Sequence, residues 1–304
     1  MAQTYPDVAA KSMAARRILA VFNPAAGRSR RNRFNDVVEK LKNLGCAVTV
    51  IETKAPGHAE KIAQDASSTE FDIIAAAGGD GTINEVVNGL KGKAISLGII
   101  PLGTANVVAD EIGLKKNPNK VANALAHGTL KKIRVGVANG RRFVMMAGSG
   151  FDANVVDGVS LRLKKKLGPL AYVWQATTQS FKDKCEPCSI VIDGTAHATV
   201  SMVACNGRRY GGPFIAAPTA SLSDDSFEVV LMKGRGWFSV ARYGLGLILG
   251  RITMWPDVEV IRGRQLAIEN GNGEPVQADG DIITRLPVHI SIDPEPVWLV
   301  YPAL

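Results

Sequence analysis

Cysteine, aromatic residues and long apolar runs are all scarce in this chain, and each scarcity removes a class of protein. Four cysteines, Cys46, Cys185, Cys188 and Cys205, in 304 residues do not make a disulfide framework. Nothing before Arg16 has the basic-then-apolar layout of a secretory signal, so a reducing, cytoplasmic setting is expected. The most membrane-like stretch, Tyr243 to Gly250, has eight uncharged residues between Arg242 and Arg251, against the ~20 that span a bilayer. No transmembrane helix is expected. Aromatics are 6% of the chain and no zinc-finger spacing accompanies its net charge of +8, which argues against nucleic acid as partner. Cys185 and Cys188 form one Cys-x-x-Cys without a second pair; His197 and Cys205 could complete a zinc site, but packing cysteines are the simpler reading.

What is present describes a globular protein. Hydrophobic residues make up 46% and charged residues 21%, and the length suits two domains better than one, because single cores rarely grow past about 250 residues. The positive charge is local. Residues 131–184 carry eleven Lys or Arg against Asp152, Asp157 and Asp183, an excess equal to the net charge of the whole chain. A solvated face explains such a run most simply, and an anionic membrane surface is the alternative.

Up to about residue 135 one grammar repeats: an apolar run, a loop with Gly or Pro, then a helical pattern. The runs are residues 18–22, 47–52, 71–77 and 95–100, with helices over 32–44, 58–66, 83–90 and 106–112. Alternation of this kind predicts βαβ units and a parallel sheet, whose strand-to-helix loops share the carboxyl edge where such sheets bind ligands. Thereafter β-rich runs follow one another with little helix between them. A strand is expected over 141–147, helices within 152–181, and hairpin turns at Asp193-Gly194, Asn270-Gly271 and Asp279-Gly280. The fold expected is an α/β N-terminal domain with a parallel sheet and a mostly antiparallel, β-rich second domain. Boundaries are placed at 1–15 for a tail, 16–135, 136–295, and 296–304 for a terminal segment that returns to the first domain or does not.

The loop "GGDGT", Gly78 to Thr82, is the most informative stretch. Glycine turns at a helix N-terminus offer backbone N–H groups to anions, and Thr82 suits the helix cap. Asp80 is the anomaly, because a carboxylate repels phosphate. It makes sense where a metal-bound polyphosphate or a departing proton must be handled, as in phosphoryl transfer; an Asp that merely caps its own turn is the competing account. "NPAAGR" and "PLGTAN" bring Asn23, Thr104 and Asn106 to the same edge as hydrogen-bonding groups, with Arg28, Arg30, Arg31 and Arg33 adding positive potential. "GSGFDA" imitates a dinucleotide fingerprint, yet no βαβ unit or ribose-binding acid follows. His58 fits a helix start at least as well as a nucleotide contact.

Taken together, "NPAAGR", Thr53 in "TKAPGH", "GGDGTINEVVNGL", "PLGTAN" and "GSGFDA" resemble the diacylglycerol kinase catalytic family, which includes bacterial lipid kinases and the sphingosine and ceramide kinases. The resemblance runs from about Arg17 to Asp293. "GGDGT" is shared with NAD kinases, whereas "GTAN" and "GFDA" are particular to the lipid-kinase branch. The resemblance implies ATP as co-substrate, Mg²⁺, a lipid alcohol as acceptor, and an active site in the cleft between the domains. Nucleotide contacts then fall on Asn23, Pro24, Gly27, Thr53, Gly78, Gly79, Asp80, Gly81, Thr82, Asn84, Thr104 and Asn106. "ASLSDDSFEVV" matches the family's magnesium turn, implying an ion near Asp225 with the carbonyls of Leu222 and Phe227. The family's Asp-Gly-Glu appears as Asp279, Gly280 and Asp281, one methylene shorter, so the proton acceptor is Asp281, Asp279 or Asp80.

Diacylglycerol or a related glycerolipid is the first expectation for the acceptor, with a sphingoid base next. Rival readings are a kinase for a soluble substrate such as NAD, or a nucleotide or lipid sensor with little catalysis. The apolar patterns at 168–181 and 236–250 are core or, with the basic segment, an interfacial patch. Transient contact with an anionic membrane would place the protein at the inner face of the membrane, and a homodimer remains compatible with the sequence.

Overall fold

The computed structural model describes residues 15–24, 28–151, 153, 154, 187–271 and 273–303, which divide into two compact units. Unit 1 takes the described residues up to Gly103, Ile112–Lys132, and those from Val297 onward; unit 2 takes Thr104–Glu111 and those from Ile133 to Pro296. Gly27, Asp152, Cys185, the helices expected within 152–181 and most of the basic segment lie outside the described residues.

Unit 1 is an α/β layer structure. Its elements are β1 (Arg17–Phe22), α1 (Arg28–Asn43), β2 (Ala47–Glu52), α2 (His58–Asp65), β3 (Ile73–Gly78), α3 (Asp80–Gly89) and β4 (Ser96–Pro101). The short α4 (Val107–Glu111), which falls in unit 2, comes next, before α5 (Pro118–His127) and β5 (Thr129–Ile133). The sheet runs β2, β1, β3, β4, then the C-terminal strand Val297–Tyr301, then β5. Pairings from β2 through β4 are parallel, as is that of the C-terminal strand with β4, where Leu299 lies opposite Leu97. The terminal residues thus fill a position inside this sheet.

Sequence chemistry accounts for the arrangement. The central strands β3 and β4 are buried at every residue, the continuous apolar pattern that a sheet covered on both faces requires. The edge strand β2 is largely exposed. α5 opens on Asn117, whose side chain accepts the N–H groups of Asn119 and Lys120, with Pro118 at the first helical position. At its other end Arg16 donates to the carbonyls of Leu125 (2.8 Å) and Gly128 (2.7 Å), a cation on the helix's negative end.

Unit 2 holds two six-stranded antiparallel sheets. One is built from β6 (Gly136–Ala138), β7 (Arg141–Phe143), β9 (Cys188–Ile192), β10 (Thr195–Thr199), β16 (Gln265–Ile268) and β19 (Val288–Ile292). The other contains β8 (Met146–Ser149), β11 (Ser201–Cys205), β14 (Phe227–Met232), β15 (Val258–Gly263), β17 (Pro275–Ala278) and β18 (Asp281–Arg285). A two-stranded ribbon, β12 (Arg209–Gly211) with β13 (Phe214–Ile215), and a helix α6 (Gly236–Ile248) complete it. Residues of both sheets form one core: Phe143, Ile190 and Leu266 from the first meet Met202, Phe227 and Val229 from the second, and Phe143 stacks on Phe227 with centroids 5.8 Å apart. The expected α/β unit and β-rich antiparallel unit are both present.

Two departures from the expected elements have physical causes. The strand expected over 141–147 is broken into β7 and β8, which join different sheets, because the N–H groups of Val144, Met145 and Met146 leave the ladder for the Asp279 carboxylate. Hairpins form at Asp193-Gly194 and Asp279-Gly280, with both residues at positive φ. Asn270-Gly271 instead lies on the passage from β16 to β17, strands of different sheets. Asn139-Gly140, between β6 and β7, makes a third such turn at φ 45° and 86°.

Candidate active site

In unit 1 four loops leave the carboxyl ends of β1 to β4, and backbone hydrogen bonds tie each to its neighbour. Asn23 N–H donates to the Ala77 carbonyl at 2.9 Å, Thr53 N–H to Phe22 at 2.8 Å, and the N–H groups of Leu102 and Gly103 both reach the Gly78 carbonyl. Asn23, Thr53 and the Gly78–Thr82 turn therefore share one rim. Pro24, half-buried beside Asn23, is on it too.

The glycine turn differs from its expected form. Gly79, not Thr82, occupies the cap position, and α3 begins at Asp80, so Gly81 lies within the first helical turn. Thr82 is buried and its hydroxyl accepts the Asn23 side-chain N–H at 3.2 Å. Gly78 is obligatory for that packing, since a Cβ there would stand 2.4 Å from the Thr82 hydroxyl. Gly79 comes close to Gly103, whose Cα would be 3.4 Å from a Cβ at position 79. The result is a helix N-terminus, with its first-turn N–H groups and positive dipole end, carrying an acid at its first residue. The dipole stabilises the Asp80 carboxylate there, and the same N–H groups suit a phosphate.

Other candidates sit differently. Asn84, on α3, accepts the Asn88 side-chain N–H at 3.1 Å. Thr104 is exposed, whereas Asn106 has no exposed surface and a φ of 51°; both belong to unit 2. Of the arginines expected to charge the rim, Arg31 is held by Glu52 through two hydrogen bonds (2.6 and 3.1 Å) and lies over the Phe22 ring. That pairing raises the Arg31 pKa and lowers that of Glu52. His58 accepts the Lys54 N–H at 3.0 Å, the local role expected of a residue at a helix start. Glu85, which the sequence did not single out, accepts the Ala59 N–H at 3.0 Å. It thereby supplies the cap that Gly57 cannot.

In unit 2, Asp279 adopts φ 50° and its carboxylate accepts from three consecutive backbone groups, Val144 (2.7 Å), Met145 (2.8 Å) and Met146 (3.2 Å). Three N–H groups occupy most of the acceptor sites of that carboxylate. Asp281, two residues on, is exposed at the start of β18. Nearby chemistry that the sequence hid includes Arg142, 2% exposed and bonded to Asp293 (2.8 Å) and Glu295 (2.9 Å). Asn206 joins it, bridging the carbonyls of Arg134 and Val144.

The donors expected to hold Mg²⁺ do not suit that ion as they are arranged. Asp225 is exposed and ion-paired with Arg264, which holds its carboxyl below the usual range with a further contribution from Arg134. The Leu222 carbonyl accepts the Arg134 N–H at 2.6 Å, and Phe227 is fully buried in β14. One carboxylate already answered by a guanidinium is a poor start for a hard cation that wants several oxygen ligands. Among the described residues no group of three His, Cys, Asp or Glu could hold a metal.

Residues 17–138 match the diacylglycerol kinase catalytic domain, and residues 145–301 match the YegS C-terminal NAD kinase beta sandwich-like domain. The chain belongs to the diacylglycerol kinase family. It is 33% identical to a diacylglycerol kinase of Bacillus subtilis over 224 residues, covering 72% of this chain and 74% of that one. A Mycobacterium tuberculosis diacylglycerol kinase is 27% identical over 296 residues, 94% and 95% of the two chains. A crystal structure of a diacylglycerol kinase from Bacillus anthracis superposes with a TM-score of 0.76 at 23% identity, covering 94% of this chain and 97% of that one, which shows a shared fold. Family membership makes this diacylglycerol kinase-like chain a kinase, a transferase.

Proposed function

We propose that this family member transfers the γ-phosphoryl group of ATP to a hydroxyl of a membrane glycerolipid, diacylglycerol first among them. The observation that supports the reading most directly is the N-terminus of α3, where Gly78 and Gly79 open a helix on an acid beside Asn23 and Thr82. Phosphates lie against the N–H groups of that turn, and Asn23, Pro24, Thr53 and Asn84 contribute further contacts. Asn106, being buried, shapes its loop rather than touching nucleotide. Bound Mg²⁺ would neutralise phosphate charge there. Asp80 serves that end of the site.

Asp281 is the proton acceptor in this reading, and Asp279 positions it. Asp279 gives its carboxylate to three N–H groups inside unit 2, whereas Asp281 is a solvent-exposed carboxylate at the start of β18. As the lipid hydroxyl oxygen forms a bond to the γ-phosphorus, the bond from that phosphorus to the β–γ bridging oxygen breaks. Its electron pair leaves with ADP, and the hydroxyl proton passes to the Asp281 carboxylate. The turn at Asp225 takes Mg²⁺ only if the ion displaces Arg264.

The test uses purified protein, γ-labelled ATP and magnesium with a panel of dioleoylglycerol, sphingosine and NAD. Label is expected in phosphatidic acid. Label in NAD alone, or nucleotide binding with no labelled lipid, would replace this reading with the soluble-substrate kinase or the sensor.

A further inference from the structure

Helix α6 is inside out. Its exposed positions carry Phe238 (65%), Leu245 (50%), Ile248 (63%) and Leu249 just past its end (59%), and Met254 (73%) follows. These are five of the nine exposed large hydrophobics among the described residues, so the apolar surface is concentrated in seventeen residues. Spacings of seven and four from Phe238 to Leu245 to Leu249 place them along one stripe.

The inward face is small or polar: Ser239 and Tyr243 are buried, and a Cβ on Gly246 would come within 2.9 Å of Ile252 and 2.8 Å of the Trp255 side chain. Polar bonds fasten this face. Tyr243 donates its hydroxyl proton to Asp257 (2.5 Å) and accepts the Gly234 N–H (2.8 Å), and Arg242 pairs with the same Asp257 while lying 5.0 Å from the Trp255 ring. A helix anchored by its polar side, with Phe238, Leu245 and Ile248 facing outward, is the reverse of an ordinary surface helix and marks an interaction face.

The charge around this face selects the partner. From Gly234 to Pro256 the chain has Arg235, Arg242 and Arg251 and no Asp or Glu; Arg235 and Arg251, both exposed, bracket the apolar stripe. A stripe of aliphatic and aromatic side chains flanked by arginines suits the boundary of acyl chains and acidic headgroups. We propose that α6, with Leu249 and Met254, is the element by which this protein docks on an anionic lipid bilayer. The proposal rests on the lipid-kinase reading for its biological sense, not for its geometry.

Flotation with phosphatidylcholine vesicles, with and without phosphatidylglycerol, tests it on the full chain. The wild type is expected to float with anionic vesicles, and less so in high salt. The double variant Leu245→Glu with Ile248→Glu should lose partition about 10-fold or more, while Leu245→Ile with Ile248→Leu floats like the wild type. Both should melt near the wild-type temperature and phosphorylate a water-soluble short-chain diacylglycerol within about twofold of it, because the changed residues face outward. Docking stands if flotation is lost although no lipid is ever phosphorylated; in that case only the lipid-kinase reading falls. It is overturned if the glutamate variant floats unchanged. A steep fall in its melting temperature with unaltered flotation means the chain's own residues cover the stripe. Dissociation of a dimer with unaltered flotation means a second copy does; either result sinks the proposal.

Discussion

The acids of the glycine turn in unit 1 and of the loops in unit 2 have different partners. In unit 1 the motif acid Asp80 heads a helix, and Glu85 of the same helix caps its neighbour α2 through the Ala59 N–H. In unit 2 the carboxylates are clamped: Asp279 by three backbone N–H groups, Asp293 by Arg142, Asp225 by Arg264, and Asp257 by Tyr243 and Arg242. Asp281 is the exposed member of its motif. An Asp beside a Gly reads alike in "GGDGT" and "ADGD", so the spelling of a motif does not say whether its acid is chemistry or scaffold. The partners of the carboxylate say so.

Removing the clamp should give the largest effect. Asp279→Ala would orphan the N–H groups of Val144, Met145 and Met146 and destabilise unit 2 by about 3 kcal/mol or more, read by urea unfolding. Wild-type stability in that variant would break the comparison, because the Asp279 carboxylate would then not be a clamp. Asp80→Asn sharpens it from the other side. Turnover should fall about 100-fold or more, while the melting temperature falls far less than with Asp279→Ala, because asparagine keeps the size and the acceptor oxygen of the side chain and loses the charge at the helix N-terminus. Near-normal lipid phosphorylation by that variant would reduce Asp80 to a turn former.

Smaller effects come next. Glu85→Ala removes the acceptor for the Ala59 N–H and should cost about 1 kcal/mol, the usual worth of a helix cap, with turnover nearly unchanged. Tyr243 gives a pH signature for the clamped acids of unit 2. Burial, together with its hydrogen bond to Asp257, raises its pKa from 10.0 to about 12. The folded state thus favours the neutral phenol: its stabilisation is complete below pH 10 and is lost as pH rises through 12. The melting temperature should decline between those values, and Tyr243→Phe should flatten that decline.

Much of unit 1 was legible in the sequence because parallel strands buried on both faces are written as unbroken apolar runs, and β3 and β4, buried at every residue, lie on two of the expected runs. α3 was misplaced at its start for an instructive reason. Thr82 has the chemistry of a cap, but the tertiary bond from Asn23 claims its hydroxyl and the helix begins three residues earlier than expected, at Asp80. In unit 2 the hairpin at Asp193-Gly194 was visible, since positive φ at both turn residues leaves a local signature. The split of 141–147 was not, because its cause lies at Asp279, more than a hundred residues away in the chain. Arg142 looked like part of a basic surface run and is instead a buried ion-pair partner of Asp293.

The sequence by itself determined the strand and helix grammar, the glycine turn and the family, because each is set by residues that are close neighbours along the chain. Tertiary structure alone decided which carboxylates are occupied, that Thr82 serves Asn23, and that α6 turns its apolar side outward. Those outcomes depend on which donors and which surfaces meet across long separations, and side-chain hydrogen bonding and burial have no counterpart in local pattern.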